Sequence, residues 1–209
     1  MKKIVIVLSA AFCIFALSSC TAAQNSETSS VSNNTTKREA DLKKPEKYED
    51  VRGQLKDGVY SNESFGFTMS VNQKDFTAEV SDQEGFKYNF EHPTAAADDD
   101  VFNVYSADLC EYRLQFSQSS QQGHAEKTAS DILARELSQY NISVTDKLLG
   151  DKQTAYTQVD RDGIKTDYYA MFVNGYYIKW EITFGTGNKD CANQLEQIVD
   201  SIQFDWISE

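Results

Sequence analysis

The sequence predicts an α+β fold, in which an antiparallel β-sheet carries helices packed on its faces. Two dipeptides, Asp162-Gly163 and Asn174-Gly175, separate three stretches of alternating apolar and polar residues, the pattern of strands joined by tight hairpins. The last stretch runs into a segment whose apolar residues recur every three or four positions, namely Ala192, Leu195, Ile198, Val199 and Ile202. This spacing predicts an amphipathic helix whose apolar face packs on the strands before it.

Composition favours a single folded domain with an aromatic core. The chain has 209 residues, of which 12% are aromatic, and its formal net charge is −12. Large aromatic side chains supply the apolar surface that one core needs. Nucleic acid is not an expected partner, because phosphate backbones are bound by clustered Lys and Arg. The acidic charge favours cationic partners or divalent ions.

The first residues have the pattern of a secretory leader that ends in a lipidation signal. Lys2 and Lys3 precede an apolar run over residues 4–17, which is short for a membrane span. The sequence Leu17-Ser18-Ser19-Cys20 then resembles the bacterial lipobox. The resemblance implies a signal peptide over residues 1–19 and a diacylglycerol on the Cys20 sulfur. The alternative is a plain cleaved leader in which Cys20 is incidental.

A lipidated Cys20 would place the protein at the outer face of a bacterial cytoplasmic membrane, with a Gram-positive-type envelope favoured. Two acyl chains anchor a protein stably, since one chain alone binds marginally. Residues 20–56 are rich in Ser, Thr, Asn, Lys and Glu, a composition that buries too little apolar surface to offset its ordering entropy. We therefore predict a disordered tether over 20–56 and a folded domain over 57–209.

Two short motifs near the ends of this domain resemble those of a known family. Tyr60-Ser61-Asn62 is followed by Phe65-Gly66-Phe67-Thr68-Met69-Ser70-Val71, and the last predicted helix ends with Ile198-Val199-Asp200-Ser201-Ile202-Gln203-Phe204. Both motifs are similar to those of PsbP-like domains, which recur in lipoproteins of Gram-positive bacteria. The resemblance implies an α/β/α sandwich around an antiparallel sheet. It also implies a binding or assembly accessory without a shared catalytic centre.

The middle of the chain extends the predicted sheet and adds a helix. Alternating apolar residues predict short strands over 77–82, 86–90, 101–105 and 111–118. After His124 the period changes to that of a helix, with Thr128 or Ser130 as its cap. Its apolar stripe consists of Ala125, Ala129, Ile132, Leu133, Leu137 and Tyr140.

Enzyme motifs are missing from the sequence. The two histidines, His92 and His124, are not part of an HExxH motif, and the chain has no GxSxG, phosphate-loop or CxxC motif. We therefore expect a non-enzymatic binding or assembly module without a required cofactor. Two alternatives are an extracytoplasmic hydrolase that uses carboxylates and a substrate-capturing receptor.

Three adjacent carboxylates, Asp98, Asp99 and Asp100, lie in a predicted loop. Ca²⁺ prefers oxygen ligands, so this run is a candidate metal site. Neighbouring residues of an extended chain point in different directions, however, and a solvated turn explains the run equally well.

Two cysteines, Cys110 and Cys191, are left once Cys13 is removed with the leader and Cys20 is acylated. Disulfides persist on the exported side of a membrane, so these two residues are a candidate pair. The alternative is a pair of buried thiols.

Tyrosines cluster around the second predicted hairpin, at 168–169 and 176–177. Neighbouring residues of a strand face opposite sides, so one tyrosine of each pair leaves the main core face. Outward Tyr169 and Tyr177 would offer a binding surface for a protein or glycan partner at the cell surface. The alternative is a sheet that helices cover on both faces.

The lipidation signal generates a direct prediction. Cys20→Ala removes the acylated sulfur, so we expect the protein to move from the membrane fraction into the medium. Fractionation with labelled lipid measures this shift, and the unsubstituted chain is the control. An unchanged membrane fraction for the variant would rule out the lipid anchor.

Overall fold

The computed structural model describes residues 37–71, 74–81, 90–94, 99–107 and 111–207. Residues 1–36 lie outside this set, so the signal peptide and the lipidation of Cys20 stay predictions. No helix in these described ranges is long and apolar enough to cross a membrane.

The described chain contains more strand than helix. The helices are α1 (Tyr48–Arg52), α2 (Ala129–Glu136) and α3 (Lys189–Asp200). The strands are β1 (Lys37–Arg38), β2 (Gln54–Lys56), β3 (Val59–Asn62), β4 (Phe67–Ser70), β5 (Phe76–Val80), β6 (Asp99–Ser106), β7 (Arg113–Ser120), β8 (Thr145–Leu149), β9 (Lys152–Arg161), β10 (Ile164–Val173), β11 (Tyr176–Phe184), β12 (Gln203–Phe204) and β13 (Trp206–Ile207).

The strands form one large sheet, one small sheet and a short parallel pair. The large sheet has seven antiparallel strands in the order β5-β6-β7-β11-β10-β9-β8. The small sheet has four antiparallel strands in the order β12-β4-β3-β2. β1 pairs in parallel with β13.

The predicted hairpins are confirmed. Asp162 and Gly163 have φ values of 53° and 84°, and Asn174 and Gly175 have 52° and 82°. Positive φ at both central residues is the geometry of a two-residue turn whose twist matches the flanking strands. The second turn sets the register of β10 and β11, in which Tyr169 faces Trp180.

Both faces of the large sheet are covered, which confirms the predicted α+β fold class. On one face, Leu195 and Ile198 of α3 join a core that also contains Trp180 and the side chains of the small sheet. On the other face, Ile132 and Leu133 of α2 pack in a second core. The small sheet beside α3 was not predicted, because the alternation of apolar residues does not tell which sheet a strand belongs to.

The predicted boundary of the tether is wrong for residues 37–56. Leu42, Tyr48 and Val51 are buried in the main core. The side-chain amide of Asn62 also donates to the carbonyl oxygen of Val51 at 2.9 Å. The polar composition of this segment is real, but three spaced apolar side chains are enough to fix it on a core that already exists. Residues 20–36 lie outside the described residues.

Gly66 marks the point where the two ends of the described chain meet. Its φ is +60°, and a Cβ atom there would lie 2.5 Å from both Leu42 Cδ2 and Trp206 Cδ1. The indole nitrogen of Trp206 donates to the carbonyl oxygen of Phe65 at 3.1 Å. Glycine is required at this position both by its backbone conformation and by close packing.

A chain that begins at residue 57 should therefore be much less stable than one that begins at residue 37. It loses the burial of Leu42, Tyr48 and Val51, worth roughly 1.5–3 kcal/mol for each large apolar side chain. That sum approaches the whole stability of an ordinary domain, about 5–15 kcal/mol. Urea unfolding followed by tryptophan fluorescence compares the two chains. Equal unfolding midpoints would contradict the structural role of this segment.

Candidate functional site

A groove of about 780 Å³ lies between α3 and the corner of the large sheet that β8, β9 and β10 form. It exists because the sheet is wider than its cover. Strands lie about 4.8 Å apart and a helix is about 10 Å across, so α3 and the small sheet together leave the outer strands open on that face. The aliphatic and phenylalanine side chains that line the groove are Leu148, Leu149, Ile182, Phe184, Ala192 and Val199.

A pair of tyrosines lies on the face of the sheet that borders the groove, and one of them, Tyr169, lines it. Tyr156 and Tyr169 are directly opposed on β9 and β10, with ring centroids 5.0 Å apart. The ammonium nitrogen of Lys147 lies over both rings, at 4.0 Å from the Tyr156 centroid and 5.1 Å from that of Tyr169. Tyr169 is only 5% exposed, so its ring is largely shielded from solvent.

Asp167 is held beside this pair by two donors. The Tyr156 hydroxyl donates to Asp167 Oδ1 at 3.0 Å, and the Gln158 amide donates to the same oxygen at 2.6 Å. Asp167 and Gln158 face each other across β10 and β9. The alternation of the strands therefore puts a carboxylate next to the aromatic pair on one face.

The tyrosine hydroxyls titrate above their ordinary range. Burial, and then the charges of Asp167 and Asp200, raise the pKa of Tyr169 to about 12. Burial is also the largest cause that raises the pKa of Tyr156, while Lys147 acts in the opposite direction. Asp200 belongs to α3, so carboxylates from both sides of the groove act on the Tyr169 hydroxyl.

The two tyrosines predicted as a binding surface have different positions. Tyr169 lies on the wall of the groove. The prediction for Tyr177 is wrong, because its side chain is 0% exposed and packs in the core that α2 covers. The side chain next to it on that face, Lys179, pairs with Glu136 of α2 at 3.0 Å. The alternative of a sheet covered on both faces holds at this position.

The predicted acidic loop is also wrong for two of its three residues. Asp99 and Asp100 are the first residues of β6, and Asp98 lies outside the described residues. Gln118 donates to Asp99 at 3.2 Å and Gln115 donates to Asp100 at 3.0 Å. Within the described ranges no group of three or more His, Cys, Asp and Glu side chains is placed to hold a metal ion.

The disulfide prediction is untested. Cys191 is buried in the first turn of α3. Cys110 lies outside the described residues.

Sequence reasoning missed a contact between Ser119 and His124, which are 2.8 Å apart at Oγ and Nε2. The guanidinium of Arg135 lies 3.3 Å from the other ring nitrogen, Nδ1. A guanidinium only donates, so Nδ1 accepts and the proton of a neutral ring lies on Nε2. His124 then donates to Ser119, whereas a base that activates a serine must accept its proton. This pair is thus arranged for structure.

Comparisons with known proteins add only distant structural similarities. No protein-family model matches the chain, and no curated protein matches it. A crystal structure from Bacteroides thetaiotaomicron is 15% identical, with a TM-score of 0.36; the match covers 66% of this chain and only 45% of that one. The solution structure of cyanobacterial PsbP (CyanoP) from Synechocystis is 12% identical over 70% of this chain and 91% of that one, with a TM-score of 0.41. At these values neither similarity carries a function over to this chain.

The Tyr169 hydroxyl provides a titration that tests the geometry of the groove. Because its pKa is raised to about 12 from 10.0, the folded state holds this proton after the unfolded chain has lost it. Its contribution to stability is present below the ordinary pKa and is lost as the pH rises through the folded one. We expect Asp200→Asn to lower the pKa of Tyr169, since a repelling charge is removed.

Carbon NMR of ring-labelled tyrosine measures this pKa, and Tyr169→Phe assigns the signal. Tyr176 is the internal control, because burial alone raises its pKa and Asp200→Asn should leave it unchanged. A Tyr169 hydroxyl that titrates at its ordinary pKa would contradict the described groove.

Proposed function

We propose that this chain is a lipid-anchored binding protein at the outer face of a bacterial cytoplasmic membrane, and that the groove beside α3 holds its ligand. The observation that carries the proposal is the groove itself. It combines apolar side chains, the Tyr169 ring and charged groups from both the sheet and α3. Small-molecule sites in proteins have this make-up, with a mostly apolar surface and a few placed polar groups.

Binding, rather than catalysis, suits the groups in the groove. Its aromatic and carboxylate side chains are recognition groups, and the groove is partly open to solvent. The Ser119 and His124 pair lies elsewhere and has the wrong tautomer for nucleophilic attack. The alternative function, a hydrolase that uses carboxylates, would need an activated nucleophile or a pair of acids in a site that excludes water. Among the described residues, neither the groove nor the Ser119 and His124 pair supports that function.

The anchor is proposed from the leader pattern. β1 starts at Lys37, and the 17 residues from 20 to 36 span at most about 60 Å even when fully extended. In this proposal the folded domain stays close to the lipid headgroups, within reach of ligands that arrive at the cell surface.

A groove-filling variant tests the proposal. A panel of amines, amino acids, peptides and oligosaccharides is screened by thermal unfolding of the folded domain. A ligand present at a hundred times its Kd stabilises by about 2.7 kcal/mol, which raises Tm by about 5–10 °C for a domain of this size. Ala192→Trp places an indole in the groove, so we expect it to abolish that shift.

Asn193→Trp is the matched control, because Asn193 is the next residue of α3, is exposed and does not line the groove. The control should keep the full thermal shift. Ligands that stabilise both variants equally, or a panel in which no ligand stabilises the unsubstituted chain, would count against a ligand site in this groove.

A further inference from the structure

The C-terminal end of α3 carries an arrangement of charge that works against the stability of the helix. Glu196 and Asp200 are four residues apart, so they share one face of the helix and repel each other. The last turn contains no basic residue, although a helix C-terminus carries partial negative charge and favours cations. Within the described chain, neither carboxylate has a hydrogen bond or an ion pair to offset this cost, and both line the groove.

The sheet side of the same groove already holds an ammonium group. Lys147 lies in β8, where its side chain is exposed, yet its nitrogen lies over the Tyr156 and Tyr169 rings. A cation over a tyrosine ring gains roughly 0.5–1 kcal/mol at an exposed site. An exposed lysine gives up this contact by changing rotamer. The two rings therefore form a cation–π site that another ammonium group can occupy in place of Lys147.

We infer that the groove binds a primary alkylammonium group, which displaces Lys147 from the tyrosine pair and lies between Asp167 on the sheet and Glu196 and Asp200 on α3. Its aliphatic chain lies on the apolar floor that Ala192 and Val199 help to form. This inference rests on the proposed function and names the ligand class of the same groove. A free diamine and a lysine side chain of a peptide share this chemistry.

Other ligand classes fit the same contacts less well. An anion would find Lys147 and Lys165 but would also face the three carboxylates of Asp167, Glu196 and Asp200. A sugar that stacks on aromatic rings would compete with an ammonium for the ring faces and would leave the carboxylates on α3 without a cation. Only a cation removes the repulsion at the end of α3.

Titration calorimetry of the folded domain with cadaverine and with a lysine-containing tripeptide tests the inference. The same tripeptide with an acetylated lysine keeps the shape and loses the charge. We expect binding of at least one of the two ammonium probes and no binding of the acetylated peptide. The probe that binds more tightly identifies a free diamine or a peptide as the source.

Variants that remove one charge test the inference by the direction in which the affinity changes. Lys147→Gln removes the internal competitor, so the affinity for the ammonium probe should rise about two- to fivefold. Lys165→Gln makes the same change of net charge in the same groove. Among the described residues Lys165 has no contact with an aromatic ring, so this variant should raise the affinity less. Glu196→Gln and Asp200→Asn should each lower the affinity about two- to fivefold while raising Tm, because they relieve repulsion in the free protein.

Three results would overturn the inference: equal binding of the acetylated and unmodified peptides, weaker binding after Lys147→Gln, or an equal gain from Lys147→Gln and Lys165→Gln. The proposed function can fail separately. A ligand without an ammonium group whose binding Ala192→Trp abolishes would overturn the inference alone. A groove that takes no ligand at all would overturn both.

Discussion

The fold depends on aromatic packing between its two sheets. Tyr60 of the small sheet stacks on Phe102 of the large one with centroids 4.1 Å apart. Phe67 contacts Phe116 at 5.0 Å and Trp180 at 5.3 Å. The indole nitrogen of Trp180 is buried without a hydrogen-bond partner in the described chain, which costs about 1–3 kcal/mol. Packing of the surrounding rings has to offset that cost, so apolar contacts stabilise the two sheets against each other around Trp180.

The sequence pattern predicted those strands, turns and helices that are formed by contacts between residues close together in the chain. The hairpins at Asp162-Gly163 and Asn174-Gly175 and the helix α3 belong to this group, because turn chemistry and one apolar stripe are local properties. The segment 37–56 was missed for the opposite reason. Leu42, Tyr48 and Val51 are isolated in a polar stretch, and only the three-dimensional core shows that each has a place. Tyr177 was misplaced because strand alternation separates two faces without telling which face a distant helix covers.

The groove could not be predicted as a site, although several of its parts are visible in the sequence. It joins β8, β9 and β10 to a helix that begins 16 positions after the end of β10, and the lysine over two tyrosines leaves no spacing signature. The pair Glu196 and Asp200 was readable as an i, i+4 repulsion at a helix end without basic residues. Like charges at this spacing destabilise a helix, and no ion pair of the described residues offsets their repulsion. Unfavourable local arrangements of this kind often mark functional positions. The sequence predicted Tyr169 as a binding residue because of its aromatic ring. It did not predict the residues around that ring, Tyr156, Asp167 and Lys147.

The pairing of β1 with β13 has a consequence for the order in which the domain forms. The ion pair between Lys37 and Asp205 joins residues 168 positions apart, and contacts of such long sequence separation form late and slowly. A ribosome or a translocation pore that still holds the C-terminal residues therefore prevents closure of the native structure. In the export that we propose for this chain, late closure would keep the polypeptide unfolded until β13 has passed through the pore.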